Sequence, residues 1–150
     1  GNLLSQKGYT VEILDPSDTL HAIGKQATGS DIFVSLHLNA FNKKAQGTEV
    51  LVHRNGTDED VELAQMLQNC LVAALNLTDR GVKRQGLAVL SGVPASVKAA
   101  CLTESFFIDA VADADTVRNM AERAAEAIAQ GIDRYATDKG SKSAMANASA

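Results

Sequence analysis

Apolar and polar positions change period several times along this chain, and the densest apolar stretch is residues 31–40, Asp-Ile-Phe-Val-Ser-Leu-His-Leu-Asn-Ala. A run this rich in β-branched and aromatic residues, following Gly29 and Ser30, predicts a buried strand of a parallel sheet. Alternation sets Ile32, Val34, Leu36 and Leu38 on one face and Phe33, Ser35, His37 and Asn39 on the other. Before it, residues 9–14 alternate Val11 and Ile13 with Thr10 and Glu12 and predict a strand, stopped by Asp15-Pro16. Ser17 and Asp18 are candidate caps for a short helix carrying Leu20, Ile23 and Ala27, ended by Gly29.

After a polar loop over 41–46, residues 47–53 predict another strand, and Asn55-Gly56 marks a turn. The stripe Val61, Ala64, Leu67, Leu71, Leu75 predicts a helix over 58–75, with Glu59, Glu62, Gln65 and Gln68 elsewhere on the cylinder. Residues 76–85 are polar and contain a basic loop at 79–84; residues 87–90 predict a short apolar strand, with a turn at Gly92 and Pro94. Residues 97–108 predict a second apolar strand holding one ionisable acid, Glu104. Asp113 or Asp115 can cap a closing helix whose stripe is Ala121, Ala124, Ile128, Ile132 and Tyr135, with Arg118, Glu122, Arg123 and Glu126 turned to water. Residues 137–150 lack periodicity and predict a disordered tail.

Strands alternating with helices imply an α/β domain over residues 1–136: a mainly parallel, twisted sheet with helices on both faces, in three layers. At 150 residues one domain is expected, burying roughly 68–70% of its unfolded surface. There is no internal repeat and no glycine-rich phosphate loop, which excludes a dinucleotide-binding reading. A net charge of −4 gives no footprint for nucleic acid. Cys70 and Cys101 suit two buried thiols better than a disulfide framework. No apolar run reaches the ~20 residues of a membrane span. Residues 2–8 read as the last turns of a helix closing on Gly8, so the opening predicts an upstream segment and a site only partly present here.

His37 projects near the carboxyl edge of its strand, where open α/β sheets place their ligand crevices. The alternative is a core imidazole bonded to a backbone carbonyl. Glu104 precedes Phe106, Phe107 and Ile108, where an unpaired carboxylate is costly to bury; the alternative is a strand-end acid reaching water or Arg80. A histidine and a glutamate at the ends of two apolar strands can share one crevice, as a metal ligand and a general base must.

Five segments in order carry a resemblance: Ser35-Leu36-His37-Leu38-Asn39-Ala40; Gly47-Thr48-Glu49-Val50; Asp79-Arg80-Gly81-Val82-Lys83; Leu87-Ala88-Val89-Leu90; and Leu102-Thr103-Glu104-Ser105-Phe106-Phe107-Ile108. Together they resemble the zinc-dependent N-acetylmuramoyl-L-alanine amidases over residues 3–135. That resemblance implies an amidase-like α/β/α fold and hydrolysis of the amide between N-acetylmuramic acid and the first alanine of the peptidoglycan stem. It implies zinc held by two histidines and a glutamate, His37 matching the later histidine and Glu104 the catalytic glutamate. Arg80 and Lys83 are candidates for the stem peptide's carboxylates, or for a solvated turn.

The family's first strand, with its Asp-Pro-Gly-His-Gly-Gly-like turn, and the following glutamate ligand have no counterpart in this chain. Asp15-Pro16 is not that turn, and His21 and His53 read as surface histidines. In place of the family's Glu-Val-Gly-Phe this chain has Glu104-Ser105-Phe106-Phe107. Three readings compete: a cell-wall amidase acting in the periplasm or on the secreted side, a relative that binds cell-wall fragments or a partner without hydrolysis, and a generic α/β domain.

Overall fold

The computed structural model describes the backbone of residues 1–148 and the side chains of residues 1–140. Four strands form one sheet in the order β1-β4-β2-β3: β1 (Ile32–Asn39), β2 (Thr48–His53), β3 (Asp79–Gln85) and β4 (Ala99–Phe107). β1 pairs parallel with β4 and β2 parallel with β3, while β2 and β4 run antiparallel. The sheet is therefore mixed, with two of its three pairings parallel.

Helices cover both faces. α3 (Asp58–Leu75) and α5 (Ala114–Ala148) lie on one side. There Leu63, Leu67, Leu71, Ala124 and Ile128 bury Val50, Val52, Cys101 and Phe106. The two short helices α2 (Leu20–Lys25) and α4 (Ala88–Gly92) lie on the other side, closing over Phe33, Leu51 and Leu102. Their backbones touch at two glycines: a Cβ on Gly24 would meet Val89 O at 2.1 Å, and one on Gly92 would meet His21 O at 2.0 Å. Only residues without a side chain permit that approach. Cys70 and Cys101 are free and buried, as expected.

The long helices are fixed at their starts by side chains the sequence provides. Thr57 and Asp60 form a reciprocal capping box on α3. Asp113 caps α5, its carboxylate accepting from the Thr116 amide and hydroxyl, both at 2.8 Å. The opening helix α1 (Asn2–Gln6) ends as expected, Gly8 taking φ +91° while the Gly8 and Tyr9 amides close back onto Ser5 and Leu4 carbonyls.

Several expectations are corrected. Residues 9–14 form no strand: no sheet edge is paired with them, Ile13 is 80% exposed, and Tyr9 is instead bonded to Asp133 on α5. Thr19, not Ser17 or Asp18, caps α2, its hydroxyl accepting from the Ala22 amide at 3.3 Å. The basic loop is the edge strand β3, because pairing with β2 needs only backbone groups and an edge tolerates polar side chains. Residues 88–90, expected as strand, begin α4, since a four-residue apolar run carries no period of its own. Gln68, off the apolar stripe of α3 as expected, is nonetheless fully buried, donating to Thr48 O at 2.9 Å and Asp79 Oδ1 at 2.5 Å. The expected disordered tail is helical through Ala148. Lys139 pairs there with Glu59 and Glu62 of α3, which continues the docked helix past Ala136. Residues 149–150 lie outside the described residues.

Candidate active site

The sheet register builds the site. His37 on β1 stands beside Glu104 on β4, and Glu104 stands opposite Glu49 on β2. Paired positions on adjacent strands share a face, so the three side chains form one row across the sheet, on the side covered by α2 and α4. The row lies at the carboxyl ends of β1 and β4, the end expected for His37, but β1 is not the buried strand expected: it is an edge of the sheet, with Leu36 63% and Leu38 40% exposed.

Two register shifts aim the neighbours at this row. Between His37 and Asn39 on β1, β4 advances from Glu104 to Phe107. The extra residue lets Phe106 turn into the core while Glu104 and Phe107 both face the site. Between Thr48 and Val50 on β2, β3 advances from Asp79 to Val82. That extra residue lets both Arg80 and Lys83 reach Glu49.

Glu49 is the most heavily partnered group in the row. Its Oε2 accepts from Arg80 Nε at 3.0 Å and from Lys83 Nζ, and its Oε1 accepts from Asn39 Nδ2 at 3.3 Å. Burial pushes its carboxyl upward, but the hydrogen bonds and charges of Lys83 and Arg80 outweigh burial and hold it below the usual range. Glu104 has the opposite environment. Its Oε2 is buried without a hydrogen-bond partner among the described residues. Burial, and then the charge of Glu49, raise its pKa. Two carboxylates set apart in this way suit different tasks, an anchored anion and an acceptor poised to hold a proton.

His37 is half-buried, with its Nε2 2.8 Å from Ser35 Oγ, and burial lowers its pKa so that the neutral ring is favoured. A neutral imidazole is the form that ligates metal. His21 is exposed on α2 and His53 lies at the far end of β2, neither joining the row. Among the described residues no group of three His, Cys, Asp or Glu side chains is placed to hold a metal ion. Glu49 is already committed to two cations, which leaves His37 and Glu104 as the available pair. These residues alone do not fit a three-ligand zinc site.

The structure thus brings His37 and Glu104 together and places Arg80 and Lys83 alongside, bonded to Glu49 rather than to Glu104. Glu49 itself was missed by sequence reasoning. Its signal is the same one that singled out Glu104: a lone acid leading into an apolar run, Val50-Leu51-Val52.

The family model described as N-acetylmuramoyl-L-alanine amidase matches residues 1–134, nearly the whole chain. This chain belongs to the N-acetylmuramoyl-L-alanine amidase family, a family of hydrolases. It is 39% identical over 119 residues to an uncharacterized cell wall amidase of Bacillus anthracis, covering 73% of this chain and 22% of that protein. It is 36% identical over 112 residues to the uncharacterized protein YqiI of Bacillus subtilis, covering 73% of this chain and 53% of that one. The chain therefore spans about a fifth and about half of the lengths of these two relatives. Among solved structures, the N-acetylmuramoyl-L-alanine amidase from Clostridium difficile 630 superimposes with a TM-score of 0.73 at 27% identity, covering 92% of this amidase-family chain and 80% of that one.

Proposed function

We propose that this chain carries catalytic residues of a cell-wall amidase that hydrolyses the amide between N-acetylmuramic acid and L-alanine of peptidoglycan. The observation that carries the reading is the His37–Glu104 pair at the carboxyl edge of the sheet, with one Glu104 oxygen buried and unpartnered. The family membership supports the substrate class. In this reading Glu104 is the general base: it takes a proton from the attacking water and returns it to the departing alanine amine. Arg80 and Lys83 contact carboxylates of the stem peptide. The protein acts on the cell wall, in the periplasm or after secretion, and no helix among the described residues is long and apolar enough to cross a membrane.

Zinc is the metal of this reading, with His37 as one ligand. The described residues do not complete its coordination. That observation favours a second reading, a relative that binds cell-wall fragments without cleaving them.

One experiment separates the two. The purified chain, with zinc supplied, is incubated with muropeptides, and mass spectrometry follows the newly freed alanine amine. Bound zinc per chain is measured in parallel by elemental mass spectrometry, with His37→Ala as control. Cleavage abolished by Glu104→Gln is the expected result. Binding without cleavage favours the second reading, and neither binding nor cleavage overturns both.

A further inference from the structure

Arg80 is held on three sides. Its Nε donates to Glu49, and its guanidinium carbon lies 5.1 Å from the centroid of the Phe107 ring. Its methylenes lie over Gly47, where a Cβ would come within 2.6 Å of Arg80 Cδ, and Gly47 has φ +131°. Lys83 converges on the same Glu49 oxygen. The Glu49 side chain is only 10% exposed, whereas Arg80 and Lys83 are 35% and 45% exposed. One buried anion therefore faces two cations, with Glu104 as the next acid along the row. The terminal nitrogens of Arg80 have no acceptor among the described residues, so a planar fork of donors remains available above Phe107.

A cation steered by a buried carboxylate, an aromatic face and a glycine floor has given up little more freedom when an anion arrives. The same guanidinium left loose in solvent would lose much of its gain to ordering. We propose that Glu49 is a positioning residue that holds Arg80 and Lys83 as a clamp for a carboxylate of the substrate, so that the site selects acidic stem peptides over amidated ones. The inference rests on the peptidoglycan-amidase reading of this site. It assigns Glu49 a role that neither a structural ion pair nor a solvated turn requires.

The test compares two probes, N-acetylmuramoyl-L-alanyl-D-glutamate and its neutral diamide, by calorimetry on the full chain after dialysis against chelator. Wild type is expected to bind the diacid about tenfold more tightly than the diamide, the discrimination of one charge-assisted hydrogen-bond pair. Glu49→Gln is expected to lose most of that preference, although it makes the site more positive. The sign is the decisive feature: simple through-space attraction predicts tighter diacid binding in this variant, and that result would overturn the clamp. Equal affinity of wild type for the two probes overturns it as well, while leaving the amidase reading intact. Failure of wild type to bind either probe removes that reading and the clamp with it. Should Glu49→Gln fail to fold by circular dichroism, Arg80→Lys decides instead. It keeps the charge and loses the fork, and is expected to lose the preference too; an undiminished preference in Arg80→Lys overturns the clamp.

Discussion

Asp60 links the start of α3 to the start of β4, the strand that carries Glu104. Its Oδ2 accepts from the Thr57 amide and its Oδ1 from the Ala100 amide, each at 2.7 Å. Pairing between β2 and β4 covers only Leu102, Thr103 and Glu104 on β4, so Ala100 lies beyond it and Asp60 supplies the acceptor that a neighbouring strand would otherwise provide. Asp60→Ala removes both bonds. The half-buried Ala100 bond to an ionised oxygen is worth about 1.5–3 kcal/mol, and the exposed cap bond about 0.5–1 kcal/mol, giving a loss of about 2–4 kcal/mol. Asp58 and Glu59 remain in the first turn to complement the helix dipole, so the loss belongs to the bonds. Urea unfolding followed by far-ultraviolet circular dichroism measures it, with Thr57→Ala as the variant that disturbs the cap alone. For a chain of this size, Tm should fall by roughly 4–16 °C. If Asp60→Ala costs no more than Thr57→Ala, the bond to β4 contributes nothing and the reasoning fails.

Glu104→Gln should be no less stable than wild type at about pH 7, because a carboxyl with a raised folded pKa favours folding at low pH and loses that contribution as pH rises; under the proposed amidase function, muropeptide cleavage should at the same time fall by roughly 10²–10⁴-fold. A clear loss of stability would mean that its carboxylate is a satisfied structural group. Glu49 has the opposite sign. With its folded pKa depressed from 4.5, the stability it contributes is present above that value and disappears as pH falls through the folded value. Glu49→Gln should accordingly flatten the acid limb of a stability–pH curve, and an unchanged limb would refute this. Phe106 is fully buried at the β4 register shift, so Phe106→Ala should cost about 3–5 kcal/mol in urea unfolding. A loss under about 2 kcal/mol would mean that the pocket collapses around the smaller side chain.

Long elements with a clear period are legible in the amino-acid sequence. The α3 stripe Ala64, Leu67, Leu71 and Leu75 is buried as the 3.6-residue spacing requires, and so are Ala124, Ile128 and Tyr135 of α5. Short elements are not. Residues 88–90 are too few to show a period, and the polar sequence of β3 gives no sign that a backbone edge awaits it. The alternation of Val11 and Ile13 resembles that of a strand, but alternation alone supplies no partner.

The layered α/β character, the two apolar strands, and His37 and Glu104 as residues out of place in them are all written in the amino-acid order. These follow from local composition and period, which each segment carries alone. That β4 lies between β1 and β2, which sets His37, Glu104 and Glu49 in one row, emerges only in the folded chain. Only the register shifts turned Phe107, Arg80 and Lys83 toward that row. Strand order and register arise from packing between segments distant in sequence, so no single segment encodes them.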